Sequence, residues 1–134
     1  MVPRLLIVDD TDPIRTCLVD YVRSELGDSV EIVEACNGKE AIEAIMDDRR
    51  KRFASVLTDF NMPYCNGVQV ANAAFGVEVP NVVLLTAQYK ENLIRTCGKD
   101  VIDGLQLRGM KIVHKPFDLV DIDRAVIQPL RAIA

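Results

Sequence analysis

The amino-acid sequence predicts an α/β fold in which a doubly wound, five-stranded parallel sheet carries helices on both faces. Three observations lead there. Continuous apolar runs of strand length alternate along the chain with segments whose apolar residues recur at helical spacing. The clearest runs are unbroken rather than alternating apolar and polar, the pattern of strands buried on both sides. Four runs end in groups that can do chemistry: Leu5-Leu6-Ile7-Val8 leads into Asp9-Asp10, Ala54-Ser55-Val56-Leu57-Thr58 into Asp59, Val82-Val83-Leu84-Leu85 into Thr86, and Lys111-Ile112-Val113-His114 into Lys115. Strand exits at the carboxyl edge of a parallel sheet are where such folds build sites, because the strands hold the open loops rigidly.

Each element can be justified in turn. The first strand covers 5–8. Asp12-Pro13 reads as an N-cap with proline in the first helical position, and Ile14, Cys17, Leu18, Tyr21, Val22 and Leu26 trace a helical stripe to Gly27. Residues 30–35 mix the two faces, which suits a shorter edge strand. Asn37-Gly38 turns the chain into a helix over 39–49 with Ala41, Ile42, Ile45 and Met46 inward. The third strand follows at 54–58. A short helix over 67–75 carries Val70, Ala71 and Ala74 inward, and Pro80 introduces the fourth strand. Between 88 and 109, Leu93, Ile94, Cys97, Val101 and Leu105 form a stripe that includes Gly98 and Gly104, each costing about 1 kcal/mol inside a helix. One long helix and two short ones both fit. The fifth strand is 111–114, and a last helix runs over 119–133, ended or kinked at Pro129. With right-handed crossovers and the flavodoxin-like strand order 2-1-3-4-5, the switch point lies between the first and third strands, where Asp9, Asp10 and Asp59 meet.

A chain of 134 residues has the size of one domain, spanning 1–134, with a conventional core. Its 16 Lys and Arg against 20 Asp and Glu give a formal charge of −4, which argues against a nucleic-acid footprint spread over the domain. The basic run Arg49-Arg50-Lys51-Arg52 follows Asp47-Asp48 at a helix end, where cations complement the helix dipole, and reads as a solvated face. Cys17, Cys36, Cys65 and Cys97 are dispersed without a C-x-x-C pair and ungrouped with the one histidine, His114, so reduced thiols are expected. The first apolar run stops at Asp9-Asp10, too short for a signal peptide or an anchor. The expectation is a cytoplasmic protein that contacts neither membrane nor nucleic acid.

Three carboxylates converging on one edge repel one another, and a divalent cation is the natural counter-charge. Mg²⁺ takes oxygen ligands, keeps several waters and commonly uses one or two carboxylates beside a phosphoryl oxygen. Asp10, Asp59 and the backbone carbonyl of Asn61 can supply one face of its octahedron, with Asp9 in contact through water. Neither His nor Cys is placed to favour zinc. A carboxylate beside such a cation, with an ammonium and a hydroxyl near, is suited to accept a phosphoryl group as an acyl phosphate. Phosphoryl transfer asks for little beyond in-line positioning and charge neutralisation. Lys115 would then give a point charge opposite the metal, Thr86 a hydrogen bond, and the small Ala87 room for the group.

In this ordered set the chain resembles a response-regulator receiver domain, the phosphoacceptor half of two-component signalling. The motifs are Asp9-Asp10, Asp59 with Met62-Pro63 and Gly67, Thr86-Ala87, and Lys115-Pro116-Phe117, and the resemblance covers essentially the whole chain. It implies that Asp59 takes phosphate from a phosphohistidine on a sensor histidine kinase or histidine phosphotransfer protein. It further implies Mg²⁺ on Asp10 and Asp59, Lys115 against the phosphoryl group, Thr86 as the moving switch, a cis Lys115-Pro116 bond, and Asn61 and Gln88 as tuners of phosphate lifetime. Such a domain is a signalling module that catalyses only its own phosphorylation and dephosphorylation; the downstream effector is not named by the sequence.

Two features depart from that family. Ile112 stands three residues before Lys115, where an aromatic rotamer partner of the switch hydroxyl is common. The segment from Thr86 to Lys115 is longer than is typical by about two helical turns and lacks the usual Gly-Ala step. Two other readings compete: a phosphorylation-independent interaction module with the same fold, and a small phosphohydrolase of the haloacid-dehalogenase type, whose D-x-D motif Asp10-Thr11-Asp12 resembles. The second leaves Asp59 unexplained. His114 is expected to turn away from Lys115 by alternation, and Asp12 to serve as an N-cap rather than a ligand.

Overall fold

The computed structural model describes residues 2–47 and 52–133. Of the basic run, Arg49, Arg50 and Lys51 lie outside the described residues, and so does Asp48 before them. Five strands, β1 (Arg4–Val8), β2 (Glu31–Ala35), β3 (Ser55–Asp59), β4 (Asn81–Thr86) and β5 (Lys111–His114), form one sheet in the order β2-β1-β3-β4-β5, every neighbouring pair parallel. This is the predicted strand order. β1 and β3 are neighbours, with Val8 in register with Thr58, so their exits open side by side.

Alternation along the strands divides the core into two layers. Leu6, Val8, Val56, Val82 and Leu84 face one way, against Ala41 and Ile45 of α2 (Gly38–Ile45), Val70, Ala71 and Ala74 of α3 (Gly67–Gly76), Leu93 of α4 (Lys90–Cys97), and Ile102 and Leu105 of α5 (Lys99–Leu107). Leu5, Ile7, Leu57, Val83 and Leu85 face the other way, against Leu18, Val19, Val22 and Leu26 of α1 (Asp12–Leu26) and the C-terminal helical segment. Both faces of the central strands are covered, which is why those runs are unbroken.

Helix ends differ from expectation by small steps with physical causes. α1 starts at Asp12 with Thr11 as the N-cap, so Asp12 sits in the first turn, where its charge meets the dipole. α2 is capped by the Asn37 side chain, which accepts from the Glu40 amide, and stops at Ile45 rather than reaching residue 49. The long stripe between β4 and β5 resolves into two helices because Gly98 adopts φ +98°, a conformation open to glycine. Asp103 then meets both Lys90 (3.4 Å) and Lys99 (2.6 Å), so α5 folds back beside α4.

The last helix passes Pro129 without ending. It runs as α6 (Leu119–Ile122), a π turn at Asp123–Ile127, and α7 (Gln128–Ile133). Pro129 has no N–H for the carbonyl of Ala125 four residues earlier, and the wider turn makes room for its ring. The freed Ala125 oxygen instead accepts from Asn81 Nδ2 at 3.0 Å and Lys111 Nζ at 3.3 Å, both on the sheet. Asn81 Nδ2 also reaches Ser55 Oγ at 2.8 Å. A sequence defect is thereby converted into a bond between helix and sheet. Among the described residues no helix is long and apolar enough to cross a membrane.

Candidate functional site

The acidic site is assembled by strand exits. Asp9 lies one residue past β1, where its N–H still reaches the Ala35 carbonyl at 3.2 Å, and its side chain is wholly buried. Asp59 ends β3 and is 6% exposed, whereas Asp10 is exposed at the rim. Ligand oxygens of Asp9, Asp10 and Asp59 all lie within 4.8 Å of one another. Lys115, just past β5, donates to Asp59 Oδ1 at 2.7 Å and stands 3.9 Å from Asp9 Oδ2. One ammonium therefore meets two of the three clustered carboxylates.

Asp9 shows the strain of that balance. Its Oδ1 accepts from the Thr11 amide at 2.8 Å, but its buried Oδ2 has no hydrogen-bond partner. Burial pushes this carboxyl above its ordinary value; the Thr11 amide pulls it back, Asp59 raises it again, and Lys115 and Asp10 lower and raise it in turn. An orphaned buried oxygen inside a cluster of oxygen donors, with no His or Cys among them, fits a hard divalent cation.

Local packing fixes the main chain at Asp59. The Phe60 amide bonds the Leu85 carbonyl at 2.9 Å, carrying the β3–β4 ladder past Asp59, and Gly67 N–H bonds the Phe60 carbonyl at 2.8 Å. A side chain at Gly67 would collide with the Asp59 carbonyl oxygen and the Phe60 backbone, so the start of α3 can press against this turn only as glycine. An Asn66–Gln69 capping box completes that helix start.

Thr86 ends β4 and is buried; its Oγ1 accepts from the Gln88 amide at 2.9 Å, and its carbonyl accepts from the Lys115 amide at 2.8 Å. The threonine and the lysine are thus tied through the backbone. Asn61 is exposed in the loop after Asp59, and the Lys115-Pro116 bond is cis. Asp9, Asp10, Asp59 and Lys115 are brought together as the sequence suggested, with Thr86 on the adjoining strand end and Asn61 two residues beyond Asp59.

Asp12 is not part of the cluster. It accepts from Arg15 Nη2 at 2.5 Å, so the second acid of Asp10-Thr11-Asp12 is engaged elsewhere. Arg15 itself was not evident in the sequence; the only local signal is the spacing of three from Asp12. His114, in register with Thr86, pairs its ring with Tyr89 at 5.6 Å between centroids, while Ile112 packs half-buried against the core.

Comparisons with known proteins agree with this geometry. The family model described as Response regulator receiver domain matches residues 5–127. A relative from Staphylococcus aureus, "Transcriptional regulatory protein SrrA", is 34% identical over 113 residues, covering 84% of this chain and 42% of the relative. The chain thus spans about two-fifths of the length of the curated relatives it matches. Among solved structures, a two-component response regulator from Clostridium difficile superposes with a TM-score of 0.74 at 18% identity, covering 98% of both chains. A response regulator receiver domain protein from Methanospirillum hungatei gives 0.69 at 18% identity, covering 98% of this chain and 96% of that one. At such identities the structural likeness carries the fold alone.

Proposed function

Because the chain belongs to the response regulator receiver domain family, a signalling family of two-component systems, we propose that Asp59 is its phosphoacceptor. The donor in this reading is a phosphohistidine on a sensor histidine kinase or a histidine phosphotransfer protein. A carboxylate oxygen of Asp59 forms the new O–P bond as the N–P bond of the donor breaks, and the imidazole leaves with its electron pair and takes up a proton. Lys115, now on Asp59 Oδ1, follows the charge onto the phosphoryl oxygens. Thr86 gives up its turn bond from Gln88 and offers its hydroxyl to the product, the movement that biases the fold between two states. Asp9, Asp10, Asp59 and the Asn61 carbonyl would hold Mg²⁺, which when bound neutralises the oxygens of the transferring group.

The observation that carries this reading is the 2.7 Å contact of Lys115 with Asp59 inside an acidic cluster that keeps one buried oxygen unpartnered. Incubation with acetyl phosphate and Mg²⁺ is expected to yield an acyl phosphate on the wild type and none on Asp59→Asn. A wild type that gains no Mg²⁺-dependent phosphate overturns the reading. Capture of a partner that is indifferent to beryllofluoride would mark the chain as a phosphorylation-independent module.

A further inference from the structure

We propose that Arg15 is a positioning residue for the cation site, holding the peptide between Asp9 and Asp10 so that both carboxylates face Asp59; this rests on the phosphoacceptor reading above. Arg15 Nη1 donates to the Asp9 carbonyl at 2.7 Å. That oxygen belongs to the peptide group joining the two acids, so its orientation sets where each side chain leaves the main chain. Asp9 is past the end of β1, and its carbonyl is taken by this guanidinium at the point where the strand yields to the loop.

The guanidinium is itself fixed at its other two nitrogens. Nε donates to Glu34 Oε1 on β2 at 3.1 Å, and Nη2 donates to Asp12 Oδ1 on the first turn of α1 at 2.5 Å. The Arg15 amide bonds the Thr11 carbonyl at 3.0 Å, closing that turn beneath the loop. One side chain, only 14% exposed, therefore joins the exit of β1, the edge strand and the helix start. A planar fork with donors in three directions is needed for this; a lysine ammonium at the end of a flexible stem cannot reproduce it. Charge argues in the same sense. A lone cation beside an acidic site would repel Mg²⁺, but Asp12 and Glu34 offset the charge of Arg15, leaving its geometry as the contribution.

Geometry and charge make opposite predictions for Mg²⁺ affinity measured by calorimetry, with no phosphorylation required. Removing the fork should weaken Mg²⁺ by about tenfold or more, the usual effect of losing a partner behind a metal ligand. Arg15→Lys, which keeps the charge, is expected to show this loss, and so is Arg15→Gln, although it removes a positive charge. Both losses should persist in high salt, where Coulomb effects are screened. Circular dichroism and urea midpoints establish that the variants are folded. An Arg15→Lys protein that binds Mg²⁺ as the wild type does, or an Arg15→Gln protein that binds more tightly, overturns the positioning role and leaves the phosphoacceptor reading intact. A wild type that binds no Mg²⁺ overturns both. Should the Arg15 variants fail to fold, Glu34→Ala removes the acceptor at the outer end of the fork: in high salt a severalfold weaker affinity supports the role, and an unchanged one overturns it.

Discussion

Replacing Asp9 by asparagine should make the protein more stable at neutral pH while removing a proposed metal partner. At an effective dielectric near 20, two unit charges about 4 Å apart interact by about 4 kcal/mol. Asp9 meets the carboxylates of Asp10 and Asp59 and the ammonium of Lys115, so one repulsion is left largely uncompensated. Its buried Oδ2 has also left water without finding a partner, a loss of about 1–3 kcal/mol. Asparagine keeps an oxygen for the Thr11 amide and presents an NH₂ to the neighbouring acids, although Lys115 loses one counter-charge. The net expectation is a gain of about 2 kcal/mol, which for a chain of this size is roughly 8 °C in Tm. The pH dependence follows from the raised carboxyl of Asp9. Its favourable balance is complete below the unfolded value of 3.8 and is lost as pH climbs through the higher folded value, because the folded state must then hold the buried charge. The advantage of Asp9→Asn should therefore vanish at acid pH and reach its plateau above the folded value. Urea melts across that range test this, with and without Mg²⁺, which should stabilise the wild type by mass action and the variant less. A variant less stable than the wild type at neutral pH, or a gain that does not change with pH, refutes the reasoning.

Lys115→Met removes the ammonium that competes for Asp59 and Asp9, so Mg²⁺ should bind severalfold more tightly by calorimetry while the yield of acyl phosphate falls; weaker Mg²⁺ binding would contradict the proposed competition. Gly67→Ala drives a methyl group into the Asp59 carbonyl and should cost about 1–3 kcal/mol in a urea melt; an unchanged midpoint would mean that α3 shifts freely. Asn81→Leu takes a donor from the Ala125 carbonyl and should cost about 1–3 kcal/mol. Hydrogen exchange should locate that loss in the segment Asp123–Ile127.

The strand order and the acidic cluster were legible because both depend on unbroken local runs. Leu5-Leu6-Ile7-Val8 and Val82-Val83-Leu84-Leu85 can be little else than buried parallel strands, and the residues that follow them fall on one edge by topology. Where two periodicities competed, the sequence left a choice. The stripe from Leu93 to Leu105 suits one helix or two, and the backbone of Gly98 decides between them. The π turn was hidden because its stabilising donors, Asn81 and Lys111, are remote in sequence from Ala125. Arg15 was hidden in part for the same reason: Glu34, 19 residues away, becomes its partner only when β1 and β2 pair. Asp12 looked like a cap because Asp-Pro often begins a helix, but Thr11 takes that position without a side-chain bond, leaving Asp12 to Arg15.

The ring pair at the seam of β4 and β5 gives the molecule a built-in optical label. The chain has three tyrosines and no tryptophan, and Tyr89 lies three residues past Thr86 with its ring on His114, immediately before Lys115. Phenol emission is sensitive to a neighbouring imidazole, so movement of either strand exit should register as a change in tyrosine fluorescence without any introduced dye. Tyr89→Phe supplies the blank, and the difference reports on the strand exits beside Lys115 in real time.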